Sequence, residues 1–341
     1  MINIKVSLPG EDSSATFKNF IDENNKNLQK VKFHINTDIP EADFWFVFED
    51  LYKPQESCIL NENKVIYLNS ETSYKNSHFL DKYMKEYLLQ FSLKYGCYET
   101  FDNNYFNTKP FLPWMLNYVS GGSIFSNDGM DVKKLRNLEN IEKKKNLSII
   151  CSNKVHTDNH KLRYEFAKNL KKYFGDEIDW FGSGVNPINT KSEGISNYKY
   201  HIVIENGNKN NLISEKLLDA YLGFSFPLYF GAPNISKYFH NNSYEIIDIN
   251  DFKKSVKTIK NVIENGLYEK NFEYISNSRD LVLGDYNFIN RIFQIVEEIN
   301  KSKVSNEKKH IVLNNVEYFW SKNTSTKQKV KKIISKKLRI N

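Results

Sequence analysis

Residues 198–233, YKYHIVIENGNKNNLISEKLLDAYLGFSFPLYFGAP, constrain the fold more than any other stretch, because two short apolar runs bracket one helix-periodic segment. His201 to Ile204 is the kind of run that a strand buried on both faces needs, and it stops abruptly at Glu205 and Asn206. After a polar turn, Ser214, Glu215 and Lys216 open a helix whose Leu217, Leu218, Tyr221 and Leu222 share one face. Gly223 stands where a helix C-terminus favours a residue tolerant of positive φ. Phe226 to Phe230 is the next strand, closed by Gly231, Ala232 and Pro233. This order predicts a βαβ crossover and an α/β fold.

The chemistry is expected at the mouth of that unit. Polar residues at the carboxyl end of a parallel strand and at the following helix N-terminus face the crevice where open α/β sheets bind ligands. Glu205, Asn206, Ser214, Glu215 and Lys216 all fall there. A helix N-terminus offers unpaired N–H groups and partial positive charge, so Ser214 and Lys216 suit a phosphate, while Glu215 suits a sugar or ribose hydroxyl. The plainer alternative is that Glu215 complements the helix dipole and Lys216 is solvated.

At 341 residues the chain exceeds the usual size of a single core, so two domains are expected. Its net charge of +7 is unevenly placed: residues 301–341 hold twelve Lys and Arg against two Glu, which leaves residues 1–300 at −3. The basicity belongs to the tail, which argues against a nucleic-acid-binding globular body. Cys58, Cys97 and Cys151 are far apart and contain no C-x-x-C, so neither a disulfide framework nor a zinc knuckle is expected. The start, MINIKVSLPGED, has no long apolar core, and no run of about 18 apolar residues occurs, so neither a signal peptide nor a membrane anchor is expected.

Along the chain, strands are expected at Ile2 to Val6, Val31 to Ile35, Phe44 to Phe48 and Val65 to Leu68, with helices from Ser14 to Lys30 and from Ser77 to Leu89. Trp114, Met115 and Leu116 follow Pro110 and Pro113 and read as core or interdomain packing. The charge-rich residues 131–146 make the best linker. Leu147 to Cys151 is then a buried strand, Asp158 an N-cap and Gly175 the stop of a helix through Phe174. Lys161 and Arg163 sit early in that helix, where the dipole disfavours cations and an anion would compensate them. Beyond the central unit, Tyr244 to Ile249 is a strand, and helices are expected from Asp251 to Asn265 and from Tyr286 to Ile299. From Lys327 onward Val330, Ile333, Ile334 and Leu338 recur at helical spacing among lysines, a pattern suited to an anionic membrane surface or to a disordered tail.

The runs Y-K-Y-x-I-V-I-E-N, S-E-K-L-L-D-A-Y, F-P-L-Y-F-G-A-P and S-Y-E-I-I-D-I-N-D-F are similar in order and spacing to the donor-binding signature of the α-1,3-fucosyltransferase family. The likeness is specific over residues 147–255, thin before residue 140 and absent after about residue 300. It implies a GT-B fold of two Rossmann-like domains facing a central cleft, with residues 1–140 binding the acceptor, 147–300 binding the donor and 301–341 forming the basic tail. It implies inverting transfer of fucose from GDP-fucose to an acceptor oligosaccharide, with no required cofactor, no metal site and at most stimulation by a divalent cation. Surface polysaccharide or lipopolysaccharide assembly is the implied setting, in the cytoplasm or peripheral on the inner face of the membrane.

Carried onto this sequence, the family's S-N and R-x-x-F pattern falls on Ser152, Asn153, Arg163, Phe166 and Leu170. The donor-binding set is then Asn153, Arg163, Glu205, Asn206, Ser214, Glu215 and Lys216, with Arg163 on the pyrophosphate. The family's general base follows an N-terminal strand in a G-E-N-like turn, and its counterpart is Glu71 in LNSET, with Glu49, Asp50 and Glu41 as alternatives. The tyrosine that relatives carry shortly before S/T-E-K is replaced by Leu212. The glutamates spaced eight apart in retaining enzymes are not found in the donor region, where Ile213 follows Glu205 and Gly223 follows Glu215 at that distance; Asp248 and Asp251 have the wrong spacing for the D-x-D of metal-dependent enzymes, and His156, Asp158 and His160 read as solvated rather than metal-ligating. The remaining alternatives are another GDP-linked deoxyhexose or an inactive carbohydrate-binding scaffold.

Overall fold

The computed structural model describes residues 1–9, 17–23, 25–69, 82–97, 103–108, 113–116, 131–139, 142–155, 157–301 and 307–324. The first part of the chain forms β1 (Ile2–Ser7), β2 (Val31–Ile35), β3 (Phe44–Phe48), β4 (Gln55–Leu60), β5 (Val65–Leu68), α1 (Lys82–Leu88), β6 (Leu93–Gly96) and β7 (Tyr105–Asn107). All of these strands except β4 make one parallel sheet, in the order β2-β1-β3-β5-β6-β7. Every residue of β3 and β5 is buried, as expected for strands covered on both faces.

The second part forms α2 (Val132–Arg136), β8 (Lys145–Ile150), α3 (Asp158–Phe174), β9 (Ile178–Phe181), α4 (Lys191–Ile195), β10 (Tyr198–Ile204), α5 (Glu215–Leu222), β11 (Phe226–Phe230) and β12 (Glu245–Ile246). It continues with α6 (Phe252–Glu264), α7 (Leu267–Lys270), α8 (Phe272–Leu283), α9 (Phe288–Lys301), β13 (Lys309–Asn314) and α10 (Val316–Asn323). Its parallel sheet runs β12-β11-β10-β8-β9. The chain winds from β8 to β9 on one side and to β10 on the other, so the crevice of this sheet opens between the carboxyl ends of β8 and β10.

Several local expectations shift. The first helix, expected over residues 14–30, is not continuous: residues 10–16 and 24 lie outside the described residues, and beyond Lys18 the chain turns, with one 3-10 turn at Leu28–Lys30. Asn25 explains part of this, because its side chain accepts from the Asn27 N–H and competes with helix hydrogen bonding. Thr157, not Asp158, caps α3, accepting from the His160 N–H. Only Glu245 and Ile246 of the expected strand at 244–249 join the sheet. Gly223 has φ −83°, so its role is space rather than handedness: a Cβ there would lie 2.6 Å from Ile195 Cγ2, where α5 closes on α4.

The largest correction concerns the C-terminus. Residues 309–323, grouped with a basic tail, fold onto the first sheet's flank, where β13 pairs antiparallel with β4. Leu313 and Phe319 enter a buried cluster with Trp45, Tyr67 and Tyr87, so apolar burial sets this segment apart from the lysine-rich residues that follow it. The amphipathic segment expected from Lys327 onward lies outside the described residues. No helix among the described residues is long and apolar enough to cross a membrane.

The two parts are held together by side chains that cross between them. Phe288 of α9 packs edge-on against Phe17, Phe20 and Phe48. In the loop between β10 and α5, Leu212 is buried in the first part's cluster, and Asn211 donates to the side chain of Asn107 at the end of β7. The Trp114–Leu116 segment fulfils the interdomain reading: Met115 N–H donates to Asp219 and the Leu116 carbonyl accepts from Ser192.

Lys143 secures the far ends of α4 and α5. Its ammonium donates to the Ser196 carbonyl at 2.6 Å and to the Gly223 carbonyl at 2.5 Å, the two residues that cap those helices. Burial lowers this lysine to about 8 from its ordinary 10.5. Between those values the unfolded chain binds more protons than the folded one, so this group adds stability as the pH rises through that window. Urea unfolding of wild type and Lys143→Met at pH 7, 8, 9 and 10 is expected to show the difference moving in favour of wild type as pH rises; a pH-independent difference is the contrary result.

Candidate active site

The cleft at the end of the second sheet has a volume of about 350 Å³ and is lined by Ser152, Lys154, Arg163, Lys191, Glu215 and Lys216, with His201 and Asp219 deeper. The strand end of β10 sets its base. Glu205 is 1% exposed, and its carboxylate accepts from the Ser214 N–H at 2.8 Å and the Ser214 hydroxyl at 2.5 Å. Ser214 in turn caps α5, accepting from the Lys216 N–H at 3.3 Å and from the Lys216 ammonium at 3.0 Å. Strand end, loop end and helix start are thereby locked into one unit.

The charges above this base alternate. Lys216 lies 3.1 Å from Glu215 and 3.7 Å from Glu205, and Lys191 lies 3.5 Å from Glu215 and 2.8 Å from the fully buried Asp219. Burial alone would raise the Glu215 pKa, but Lys216 and Lys191 outweigh it and hold the carboxylate far below its usual range. Burial also works against the Lys191 ammonium, yet Asp219 and Glu215 keep its pKa above the ordinary lysine value. Asp219 is pushed upward, chiefly by burial and partly by Glu215, with Lys191 opposing. Desolvation, aided by Lys191, takes His201 down to about 3, so it is neutral, bonded through Nδ1 to Ser148 Oγ at 2.8 Å.

Arg163 supplies the opposite wall from the second turn of α3. Its Nε is buried without a hydrogen-bond partner, and no described acidic side chain pairs with it. Lys161, by contrast, is compensated by Asp158 at 3.5 Å. The loop after β9 closes the rim: a Cβ at Gly182 (φ +143°) would lie 2.6 Å from the Cys151 carbonyl, so only glycine lets this loop lie over the end of β8. An anion entering here meets a guanidinium with an unused N–H, an ammonium and the N-terminus of α5.

Residues 141–281 match the family model described as glycosyltransferase family 10 (fucosyltransferase) C-term. The match spans 141 of the chain's 341 residues. A stretch of 91 residues is 32% identical to alpha-(1,3)-fucosyltransferase FucT of Helicobacter pylori, a match covering 24% of this chain and only 19% of that protein's length. The whole structure resembles a crystal structure of an alpha1,3-fucosyltransferase with GDP at TM-score 0.52 and 19% identity, over 89% of this chain and 91% of that one. A second, an alpha1,3-fucosyltransferase with GDP-fucose, gives TM-score 0.51 and 16% identity over 90% and 93%. The fold is α/β, with two parallel Rossmann-like sheets in the GT-B arrangement.

The second sheet brings Arg163, Glu215 and Lys216 to one cleft, with Ser214 immediately below them. Glu205 lies below the cleft, with both of its oxygens accepting from Ser214. Asn206 is buried, its carbonyl accepts from Asn159 and its side-chain oxygen has no partner among the described residues. Asn153 is exposed and lies against Gly184 on the loop, outside the cleft lining. Lys191 and Asp219 escaped the sequence reading. The capping box of Thr190 and Glu193 was the available signal that a helix, and with it Lys191, begins there.

Glu71 lies outside the described residues. Of its alternatives, Glu41 is exposed and paired with Lys308 at 2.6 Å. Asp50 accepts from the Val316 N–H at the start of α10, a structural duty. Glu49 stands at the carboxyl end of β3 in a left-handed conformation, φ 65°, accepting from Asn69 at 3.3 Å. A left-handed non-glycine residue stores backbone strain.

Glu205→Ala is expected to cost about 1–3 kcal/mol in urea unfolding, because it leaves the buried Ser214 N–H without its acceptor. A change within error of zero would mean that the cap stands without this carboxylate.

Proposed function

We propose that this glycosyltransferase transfers fucose from GDP-fucose to a hydroxyl of an acceptor glycan, with inversion. The observation that carries the reading is that Arg163, whose Nε has no hydrogen-bond partner, lines one cleft with Lys216 and the N-terminus of α5. That arrangement suits a diphosphate. The nucleotide and sugar are inferred from the family 10 match and from the GDP and GDP-fucose held by the two fucosyltransferases of like fold.

In this reading Arg163 and Lys216 neutralise the departing diphosphate, Glu215 and Asn206 accept from donor hydroxyls, and Glu205 fixes the cap that aims them. As the acceptor oxygen bonds to the anomeric carbon, the bond from that carbon to the phosphate oxygen breaks. The acceptor's proton passes to a carboxylate of the first domain, Glu71 by the family pattern, with Glu49 as the second choice. A divalent cation has no assigned place in these steps. Surface glycan assembly at the inner face of the membrane, with residues 327–341 on anionic lipid, is the setting we propose.

Thermal unfolding with GDP, GDP-fucose, UDP and CMP in parallel tests the donor, since a ligand of the native state raises Tm by mass action. Stabilisation by GDP and GDP-fucose alone is the expected outcome; stabilisation by UDP or CMP, or by none of the four, overturns it. Arg163→Ala and Lys216→Ala should each weaken GDP binding by about 2–5 kcal/mol in titration calorimetry. Glu71→Gln should keep GDP affinity while lowering kcat about 10²–10⁴-fold; an unchanged kcat transfers the base to Glu49, to be checked by Glu49→Gln.

A further inference from the structure

The geometry points to Lys191 as a positioning residue for the donor: bridging Asp219 and Glu215, it holds the Glu215 carboxylate in place and ties it to the segment that enters from the first domain. This inference rests on the donor reading above and adds to it a residue that lies outside the recognised S-E-K run.

Glu215 and Asp219 are four residues apart on α5 and so present two carboxylates on one face. Left together in a buried place they repel, and one would take up a proton or turn away. Lys191, the first residue of α4, removes that conflict with contacts of 3.5 Å to Glu215 and 2.8 Å to Asp219. Its side chain is 20% exposed, against 14% for Glu215 and 0% for Asp219, so the bridge is shielded from screening water.

Lys216 also pairs with Glu215, at 3.1 Å, but it bonds Ser214 and lies near Glu205 as well, and in the donor reading a phosphate claims it. Lys191 is then the cation that stays with Glu215 when the site fills. The other end of the bridge is fixed from outside: Asp219 also accepts the Met115 N–H at 2.7 Å, and the neighbouring Leu116 carbonyl takes the Ser192 N–H at 2.7 Å. The line from Met115 through Asp219 and Lys191 to Glu215 thus joins the chain between the domains to a donor contact.

The test is a double-mutant cycle on GDP-fucose affinity, measured by calorimetry without acceptor on the full chain. Lys191→Met and Glu215→Gln should each weaken binding about tenfold or more, and the double variant no further than the weaker single one. Lys191→Arg should recover most of the loss. Additive losses, or an unchanged affinity in Lys191→Met, would overturn the assignment. Because Lys191→Met strands the buried Asp219, Lys191→Met with Asp219→Asn removes that charge too; it should bind as weakly as Lys191→Met alone, and recovery to the wild-type value would assign the loss to Asp219 and sink the proposal. Failure of wild type to bind GDP-fucose would instead reject the donor reading, and this inference with it.

Discussion

A buried carboxylate at the end of a strand decides where the second domain can hold anything. Glu205 takes both donors of Ser214. In doing so it fixes the end of the 207–213 loop and the first turn of α5 relative to β10. Burial pushes its pKa up while Lys216 opposes, so the cap and the cation over it stabilise each other. Removing a buried, doubly bonded acceptor leaves its partners unsatisfied, which costs more than the bonds themselves contribute. The position of Lys216, and through it the cleft's electrostatics, follows from this one contact.

The same loop carries the seam. Asn211, held left-handed at φ 64°, donates its backbone N–H to the Asn234 side chain, accepts in return on its own side-chain oxygen and reaches Asn107, while Leu212 joins the first domain's buried cluster. Leu212 suits this place as packing: a fully apolar side chain enters a cluster of Trp45, Tyr67 and Cys97 without bringing a hydroxyl that needs a partner. The loop that leads into the cleft and the seam between the two parts are one piece of chain, so neither can shift without the other.

What the sequence made legible follows range of interaction. The βαβ unit of β10, α5 and β11 was readable because apolar runs, the Ser214 cap and the face of Leu217, Leu218, Tyr221 and Leu222 are all local signals. Arg163 and Lys216 were found through their pattern, and the structure brings them to one cleft. Lys191 was missed because nothing within its own five-residue helix says that it meets Asp219, 28 positions later. The placement of β13 was missed for the same reason on a larger scale. Its Leu313 matters only because it lands opposite Glu56, beside a core assembled from the start of the chain, while the lysines around and beyond it are what a reader of composition sees. Gly223 was given the right importance for the wrong cause, since a helix stop and a close helix crossing ask for the same residue.

The return of the chain to its starting domain has a consequence for synthesis. Phe288 closes the aromatic group of Phe17, Phe20 and Phe48, and β13 with α10 covers the side of the first sheet. As the polypeptide emerges from the ribosome, the first domain must wait with these surfaces uncovered while the whole second domain is made. The second domain is the one that can fold on emergence, and the first is completed last, by the residues translated last. Premature termination anywhere before residue 313 therefore damages the half that was built first.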